Sequence, residues 1–281
     1  MKILDGKLIS EEIKRDVEYR AKKLISDGIE PKLAVIMIGE DLASEIYVNH
    51  KKRFCQEVGV DCEILKFKNQ VPEEEIISLI KEINSNKKVH GVIVQLPVPK
   101  HISKTKVIQT ISPRKDVDGF TEKNLGKTFL AKEKGLLPAT PAGILKILDK
   151  YSLSVKGKNC VIVGHSRIVG KPLSMLLLSR DATVTVTHIF TKNLGQHTRQ
   201  ADFVFSAVGK AKLLKANMLK DNFIGIDIGI SRDSQGKIAG DFDFSALEKK
   251  AQYLTPVPGG VGPVTVATLC ENVIKAAEGL Y

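Results

Sequence analysis

The chain has 281 residues, 43% of them hydrophobic and 27% charged, with a net charge of +11. That length exceeds the ~100–200 residues usual for one domain and predicts two, and the balance of apolar and charged residues supports a sizeable core with little room for long disorder. The four cysteines, Cys55, Cys62, Cys160 and Cys270, lack CxxC spacing, which excludes a structural zinc module and a disulfide framework, and no apolar run approaches the ~18 residues of a membrane span. Met1 runs straight into Lys2-Ile3-Leu4-Asp5-Gly6 without a cationic-then-apolar leader, so a reducing, cytoplasmic setting is expected and a membrane partner is not. The basic residues are spread along the chain without aromatic interleaving, at 5% aromatics and no tryptophan, so nucleic acid is not the expected partner. A positive field of this kind suits a small polyanionic substrate.

In chain order, a helix near Leu8–Asp27 precedes a strand at Leu33–Ile38, a helix over Ser44–Gln56 and strands at Cys62–Phe67 and Gly91–Leu96. A turn-rich stretch, Asp116-Val117-Asp118-Gly119, closes this first layered unit. A helix over Ala142–Tyr151 leads into strands at Asn159–Val163, Ala182–Thr187, Asp202–Ala207 and Phe223–Asp227, and Val264–Glu278 is apolar at helical spacing. Strands alternating with helices predict an α/β fold with mostly parallel sheets, whose sites form beyond the carboxyl ends of the strands. The expected division is an N-terminal α/β catalytic domain over 1–140 and a Rossmann-like dinucleotide-binding domain over 141–263, with a cleft between them. Helix 264–281 is expected to pack back on the first domain.

The dinucleotide signal follows the strand ending at Val163. Gly164-His165-Ser166-Arg167-Ile168-Val169-Gly170-Lys171-Pro172 supplies small residues at a turn and then a helix whose amides and dipole hold phosphate. Ser166 stands where GxGxxG has its second glycine, so a plain strand–turn–helix crossover is the competing reading. About twenty residues on, Val186-Thr187-His188-Ile189-Phe190 offers no carboxylate for a ribose 2′-hydroxyl, which leans toward a 2′-phosphate.

Tyr47 and Lys51 stand four apart on one helix face, where a phenol meets an amine and desolvation favours the neutral amine that proton abstraction needs. The alternative is a solvated face, since Lys51-Lys52-Arg53 is a charge run. Gln95 ends a buried strand ahead of Leu96-Pro97, either facing a ligand or satisfying loop backbone. Asp118 either accepts two parallel hydrogen bonds from an amidine-like ring edge or makes an Asx-turn. The three glycines of Pro258-Gly259-Gly260-Val261-Gly262-Pro263 either admit a flat ligand to the backbone or only make the turn before the last helix. No nucleophile triad stands out and the histidines lack metal-ligand spacing, so no protein-bound metal is expected.

Taken together these segments resemble the bifunctional methylenetetrahydrofolate dehydrogenase/methenyltetrahydrofolate cyclohydrolase family over nearly the whole chain. The resemblance rests on Ser44-Glu45-Ile46-Tyr47-Val48 with Lys51 and Cys55-Gln56-Glu57-Val58-Gly59, on His90 through Pro97, and on Lys115-Asp116-Val117-Asp118-Gly119-Phe120. Thr140-Pro141, Ile168 through Pro172, Ile226-Asp227-Ile228-Gly229-Ile230 and Thr255 through Pro263 extend it. It implies a catalytic Lys51 tuned by Tyr47 and Gln95, with Asp118 holding the pterin. It further implies a folate lined by Tyr47, Val94, Gln95, Leu96, Asp118, Pro258, Gly259, Gly260, Val261 and Gly262. NADP is implied at Gly164, His165, Ser166, Ile189 and Ile230, and so is a homodimer joined through the nucleotide domains.

Four positions depart from the family's usual residues: His165 for arginine, Ile189 for serine, Ala139 for cysteine and Ser231 for asparagine. The first two bear on cofactor choice and keep NAD in view as an alternative. The expected activity is oxidation of 5,10-methylenetetrahydrofolate followed by hydrolysis to 10-formyltetrahydrofolate. A monofunctional dehydrogenase, NAD-dependent in one version, and a silent nucleotide-binding scaffold are the competing readings; Lys51, Gln95 and Asp118 argue against both.

Overall fold

The computed structural model describes residues 1–130 and 135–281, apart from the side chains at 42 and 43. The chain divides into two units, Glu12–Ala139 with Val266–Tyr281, and Met1–Glu11 with Thr140–Thr265. Residues 1–11, which the sequence reading ran on with the first domain, therefore group with the nucleotide-type unit. The reason is β1 (Lys2–Ile3), which pairs in parallel with β11 (Ala251–Leu254), Lys2 opposite Tyr253 and Ile3 opposite Leu254.

In the first unit β2 (Lys32–Ile38) lies between β3 (Asp61–Phe67) and β4 (Gly91–Val94), all parallel, in the order β3-β2-β4. Side chains alternate across a strand, and here both faces are covered. Leu33, Val35, Met37 and Ile93 join a core with Val48 and Cys55 of α2 (Leu42–Glu57), Val58 at its C-cap, and Cys270, Val273 and Ile274 of α9 (Val261–Ala277). Ala34, Ile36, Ile38, Val92 and Val94 face the opposite core, where α3 (Glu73–Ser85) buries Ile76, Ile80 and Ile83 at helical spacing. Each such isoleucine contributes about 1.5–3 kcal/mol over an exposed one. α4 (Lys104–Thr110) and α5 (Glu122–Phe129) complete the described helices of this unit, with α1 (Gly6–Ser26) contributing its later turns.

The second unit is built on a parallel sheet ordered β1-β11-β8-β7-β5-β6, where β5 is Asn159–Val163, β6 Thr183–Thr187, β7 Phe203–Ser206 and β8 Phe223–Asp227. α6 (Ala139–Lys150) precedes β5, α7 (Gly170–Leu178) crosses from β5 to β6, and α8 (Leu194–Thr198) crosses from β6 to β7. β9 (Ser231–Arg232) and β10 (Ile238–Ala239) form a small antiparallel pair. The chain order reverses at β5, with β6 on one side and β7 on the other. That is the switch point at which open parallel sheets bind ligands beyond their carboxyl ends.

Candidate active site

On α2, Ser44, Val48, Lys51, Cys55 and Val58 follow one another at intervals of four, three, four and three, a single stripe along the helix. Val48, Cys55 and Val58 are buried and so is Ser44, which leaves Lys51 as the cation set into an otherwise inward-facing stripe. The charge run around it divides: Arg53 Nε donates to Glu57 at 2.9 Å on the solvated side, while Lys51 Nζ donates to Gln95 Oε1 at 3.0 Å. Lys51 is half-buried, so the solvated-face alternative does not hold.

Gln95 meets Lys51 because of strand parity. It continues the β4 ladder, its amide donating to Ile36 O at 2.8 Å, and shares a face with Ile93, the face that α2 covers. Its own Nε2 donates to Leu96 O at 2.9 Å, so Oε1 is the atom turned to the lysine. Ser44 Oγ also reaches Leu96 O at 3.3 Å, and its hydroxyl and backbone amide donate to Asp41 Oδ2 at 2.7 and 2.8 Å. A hydrogen-bonded chain thus runs from the cap of α2 to the lysine. Ser44 was not singled out from the sequence; an aspartate three residues ahead of a serine at a helix start is the signal for it.

The same parity corrects the expectation for Val94, whose side chain is buried in the opposite core and leaves only its backbone for a ligand. Tyr47 is half-buried, and burial raises its phenol above the usual value. Its hydroxyl makes no hydrogen bond among the described residues, and the amine of Lys51 is held by Gln95 rather than by the phenol. Ile46 beside it is 49% exposed, while Val48 is 1%.

Asp116 and Asp118 sit two residues apart and take different parts. Asp116 makes the turn: Oδ1 accepts from Phe120 N at 3.0 Å, and Oδ2 from Thr121 N at 2.7 Å, Thr121 Oγ1 at 2.7 Å and Asn124 Nδ2 at 2.9 Å. Asp118 has no protein hydrogen bond among the described residues. Burial pushes its carboxyl up to about 6, against the opposing pull of the Lys51 charge. Its position follows from β4: Val92 N donates to Lys115 O at 2.8 Å and bridges Asp116 in parallel. Asp118 follows two residues later in the tight turn closed by Gly119 N donating to Asp116 O at 3.1 Å. Gly91 allows the approach, since a Cβ there would lie 2.8 Å from Val117 Cγ1. Asn272 of α9 locks it, donating to Val117 O at 2.8 Å and Leu137 O at 2.9 Å.

Pro258, Gly259, Gly260, Val261 and Gly262 belong to the other unit, the last two beginning α9. Gly6 N donates to Gly259 O at 3.0 Å, a Cβ on Gly6 would collide with Gly260 O, and one on Gly260 would lie 2.6 Å from Pro256 O. Those two glycines serve close packing of the chain on itself. Gly262 has open space around it and Pro258 is exposed, so these are the parts of the loop open to a ligand.

The turn after β5 fits a dinucleotide phosphate. Gly164 has φ +111°, a Cβ there would lie 2.8 Å from Ala207 O, and a Cβ at Gly170 would strike Gly164 O. Glycine at both ends lets the turn close tightly ahead of the α7 amides, the arrangement that holds phosphate. Ser166 Oγ accepts from Val169 N at 3.1 Å and Gly170 N at 3.4 Å, leaving its hydroxyl hydrogen to donate outward. No carboxylate stands at the end of β6. His165 and His188 bring their rings within 5.1 Å of each other, and Ile189 is 87% exposed. Ile230, after β8, is 42% exposed.

Comparison with known proteins places both units. Residues 4–118 match the model of the tetrahydrofolate dehydrogenase/cyclohydrolase catalytic domain, and residues 138–280 match that family's NAD(P)-binding domain. The chain is 47% identical over 278 residues to the bifunctional protein FolD of Nautilia profundicola, covering 99% of this chain and 98% of that relative. It is 48% identical over 275 residues to the Aquifex aeolicus protein of that name, covering 98% and 94%. Among solved structures, the bifunctional FolD of Campylobacter jejuni superposes with a TM-score of 0.97 at 44% identity, covering 99% of both chains. The Trypanosoma brucei methylenetetrahydrofolate dehydrogenase-cyclohydrolase, solved with NADP cofactor and inhibitor, gives 0.94 at 30% identity over 99% of this chain and 97% of that one.

Proposed function

The chain belongs to the tetrahydrofolate dehydrogenase/cyclohydrolase family, and from that premise we propose that Lys51, Gln95, Asp118 and Tyr47 carry the chemistry of a bifunctional folate enzyme. The enzyme oxidises 5,10-methylenetetrahydrofolate to the 5,10-methenyl cation with NADP and hydrolyses that cation to 10-formyltetrahydrofolate. When bound, NADP supplies the oxidising ring that takes a hydride from the methylene carbon. The observation that carries the residue assignment is the 3.0 Å bond from Lys51 to Gln95 on the buried stripe of α2, within electrostatic range of Asp118, a carboxylate without a hydrogen-bond partner among the described residues.

Asp118 accepts paired hydrogen bonds from the amino-pyrimidine edge of the pterin, bonds that offset the cost of its burial. Tyr47 offers its ring as a wall and its unengaged hydroxyl as a polar contact. Leu96, Pro258 and Gly262 complete the folate contacts, with Val94, Gly259, Gly260 and Val261 acting through backbone. Lys51 serves the hydrolytic step: water adds to the methenyl carbon, its surplus proton leaves, and a proton is returned to the ring nitrogen as that carbon–nitrogen bond opens. A primary amine fixed by Gln95 in one orientation performs such transfers without reorganising. Gly164, Ser166, His165, Ile189 and Ile230 hold NADP. In domain terms, 12–139 with 266–281 is the folate-binding catalytic domain and 1–11 with 140–265 the dinucleotide-binding one.

The proposed assembly is a homodimer joined through the nucleotide units. Supporting it, β6 is the terminal strand of its sheet and exposes Thr183, Thr185 and Val186. A strand edge of this kind is a ready template for pairing with another chain. No helix among the described residues is long and apolar enough to cross a membrane, and a cytoplasmic setting is the reading that the cysteine spacing supports. One spectrophotometric assay on methylenetetrahydrofolate, following reduced cofactor and the methenyl band separately, tests the activity: both signals should appear, with the methenyl band decaying by enzyme-catalysed hydrolysis. Reduced cofactor with a persistent methenyl band would leave a monofunctional dehydrogenase.

A further inference from the structure

Two buried carboxylates, Asp227 and Asp241, lie at the carboxyl ends of β7 and β8, and the folate chemistry uses neither. Asp227 is 3% exposed and Asp241 0%. Asp227 fixes its neighbour's backbone, its Oδ1 accepting from Asp241 N at 2.9 Å and its Oδ2 from Phe242 N at 3.0 Å. Asp241 in turn gathers the loop after β7: Oδ2 accepts from Ser206 Oγ at 2.7 Å and Val208 N at 2.9 Å, and Oδ1 accepts from Lys210 N at 2.7 Å. Glycine is required opposite both acids, because a Cβ on Gly229 would strike the Asp241 carboxylate and one on Gly240 the Asp227 carboxylate.

The loops so held carry more than architecture. Ala207, inside the first, has its carbonyl against Gly164 of the phosphate turn, and Gly209 approaches Ile230 O. On these loops Val208 is 43% exposed and Ile230 42% exposed, two apolar side chains without cover at the carboxyl edge of a parallel sheet. A dinucleotide lying across the switch point puts its adenosine half over β6 and its other half over the loops after β7 and β8.

We propose that Asp241 is a positioning residue for the nicotinamide half of NADP: by fixing the Ser206–Lys210 backbone, whose Ser206 O accepts from Gly229 N at 3.1 Å, it presents Val208 beside Ile230 as an apolar seat for the ring. Asp227 supports it by holding the backbone of Asp241. The inference rests on the reading of Gly164–Ser166 as the phosphate turn. Asparagine at 241 would set an amide N–H against the donors Val208 N or Lys210 N, so the loop must shift while the adenosine side keeps its contacts.

The test is calorimetric titration of the full-length protein and its D241N and S206A variants with NADP⁺ and with adenosine 2′,5′-bisphosphate, which lacks the nicotinamide half. D241N should weaken NADP⁺ by about tenfold or more, change adenosine bisphosphate binding little, and leave hydrolysis of added methenyltetrahydrofolate at its wild-type rate. S206A removes one hydroxyl donor and should shift NADP⁺ in the same direction by less; it carries the test if D241N does not fold. Equal weakening of both ligands, or of neither, by the folded variants overturns the proposal while the phosphate turn stands. Failure of adenosine bisphosphate to bind the wild-type protein overturns the placing of the dinucleotide and this proposal with it.

Discussion

The two units treat their carboxylates in opposite ways, two of them buried in the nucleotide unit and one, Asp118, half-buried in the other. Asp241 in the nucleotide unit has both oxygens engaged by donors from its own chain, and Asp227 beside it accepts two backbone amides. Asp118 in the other unit has none among the described residues. In the nucleotide unit the acids shape the backbone. In the other unit Asp116 takes that architectural duty two residues away, which leaves Asp118 as the acid that the proposed function gives to the ligand.

The largest expected effect breaks the symmetry between the two reactions. Lys51→Met should lower cyclohydrolase activity by about 10²–10⁴-fold, the range for a lost general acid–base group, and leave measurable dehydrogenase activity, because hydride transfer needs positioning rather than a proton shuttle there. Separate assays on the methylene and methenyl substrates read the two activities. Undiminished hydrolysis by the folded variant would remove Lys51 from the mechanism.

Next in size, Asp118→Ala should weaken folate binding by about 1.5–3 kcal/mol, the worth of a hydrogen bond to a charged group, with dinucleotide affinity unchanged. Equal loss of both ligands would return Asp118 to a turn-making role. Asp116→Ala is the sharpening control: it leaves Thr121 N and Oγ1 without their acceptor and Asn124 Nδ2 with Pro113 O alone, so its loss should appear as a lower melting temperature.

How far this contrast was legible in the sequence depends on the reach of each interaction. The long β-branched runs were readable because their burial follows from local pattern, and Asn159–Val163 and Phe223–Asp227 appear as expected. Lys2–Ile3 and Ala251–Leu254 were not read as strands, because each is short and depends on a partner about 250 residues away in sequence. Lys51 and Gln95 were legible as residue types in telling places, but their bond was not: it requires strand parity and the α2 stripe to coincide. The engagement of Asp241 by Ser206, Val208 and Lys210 joins segments over 30 residues apart, and nothing in the composition of Gly240-Asp241-Phe242 announces it.

A smaller effect concerns pH. With its carboxyl pushed up to about 6 from an ordinary 3.8, Asp118 in the unliganded protein binds a proton that the unfolded chain has already lost. Its contribution to stability is therefore present below about 4 and lost as pH rises through about 6. Folate, which needs the ionised form, should bind more weakly as pH falls through 6, approaching about tenfold per pH unit well below it. Titrations of wild type and Asp118→Asn between pH 5 and 8 check this, and an equally steep profile in the variant would assign the dependence to another group.

The smallest expected effect is on cofactor selectivity, in the unit whose acids are fully engaged. With no carboxylate at the end of β6, the 2′-phosphate of NADP meets no repulsion there, but His165 and Ile189 stand where the resemblance leads one to expect arginine and serine. The structure narrows what takes their place. His165 and His188 bring their rings to 5.1 Å, and His188 Nδ1 accepts from Phe190 N at 3.3 Å, which leaves Nε2 as the outward donor of the neutral ring. Arg167, Lys171 and Lys192 flank the pair in sequence, and no acid lies on Gly164–Lys171 or Thr187–Lys192. All of these cations are close to solvent, so the preference for NADP over NAD should be modest and fall as salt screens it. Values of kcat/KM for both cofactors across salt measure this, and removing the flanking cations with Arg167→Ala and Lys192→Ala should flatten the salt dependence. A clear NAD preference at low salt would show that the residues at 165 and 189 have reversed the site, and that the histidine pair does not do for the phosphate what Asp118 is proposed to do for the pterin.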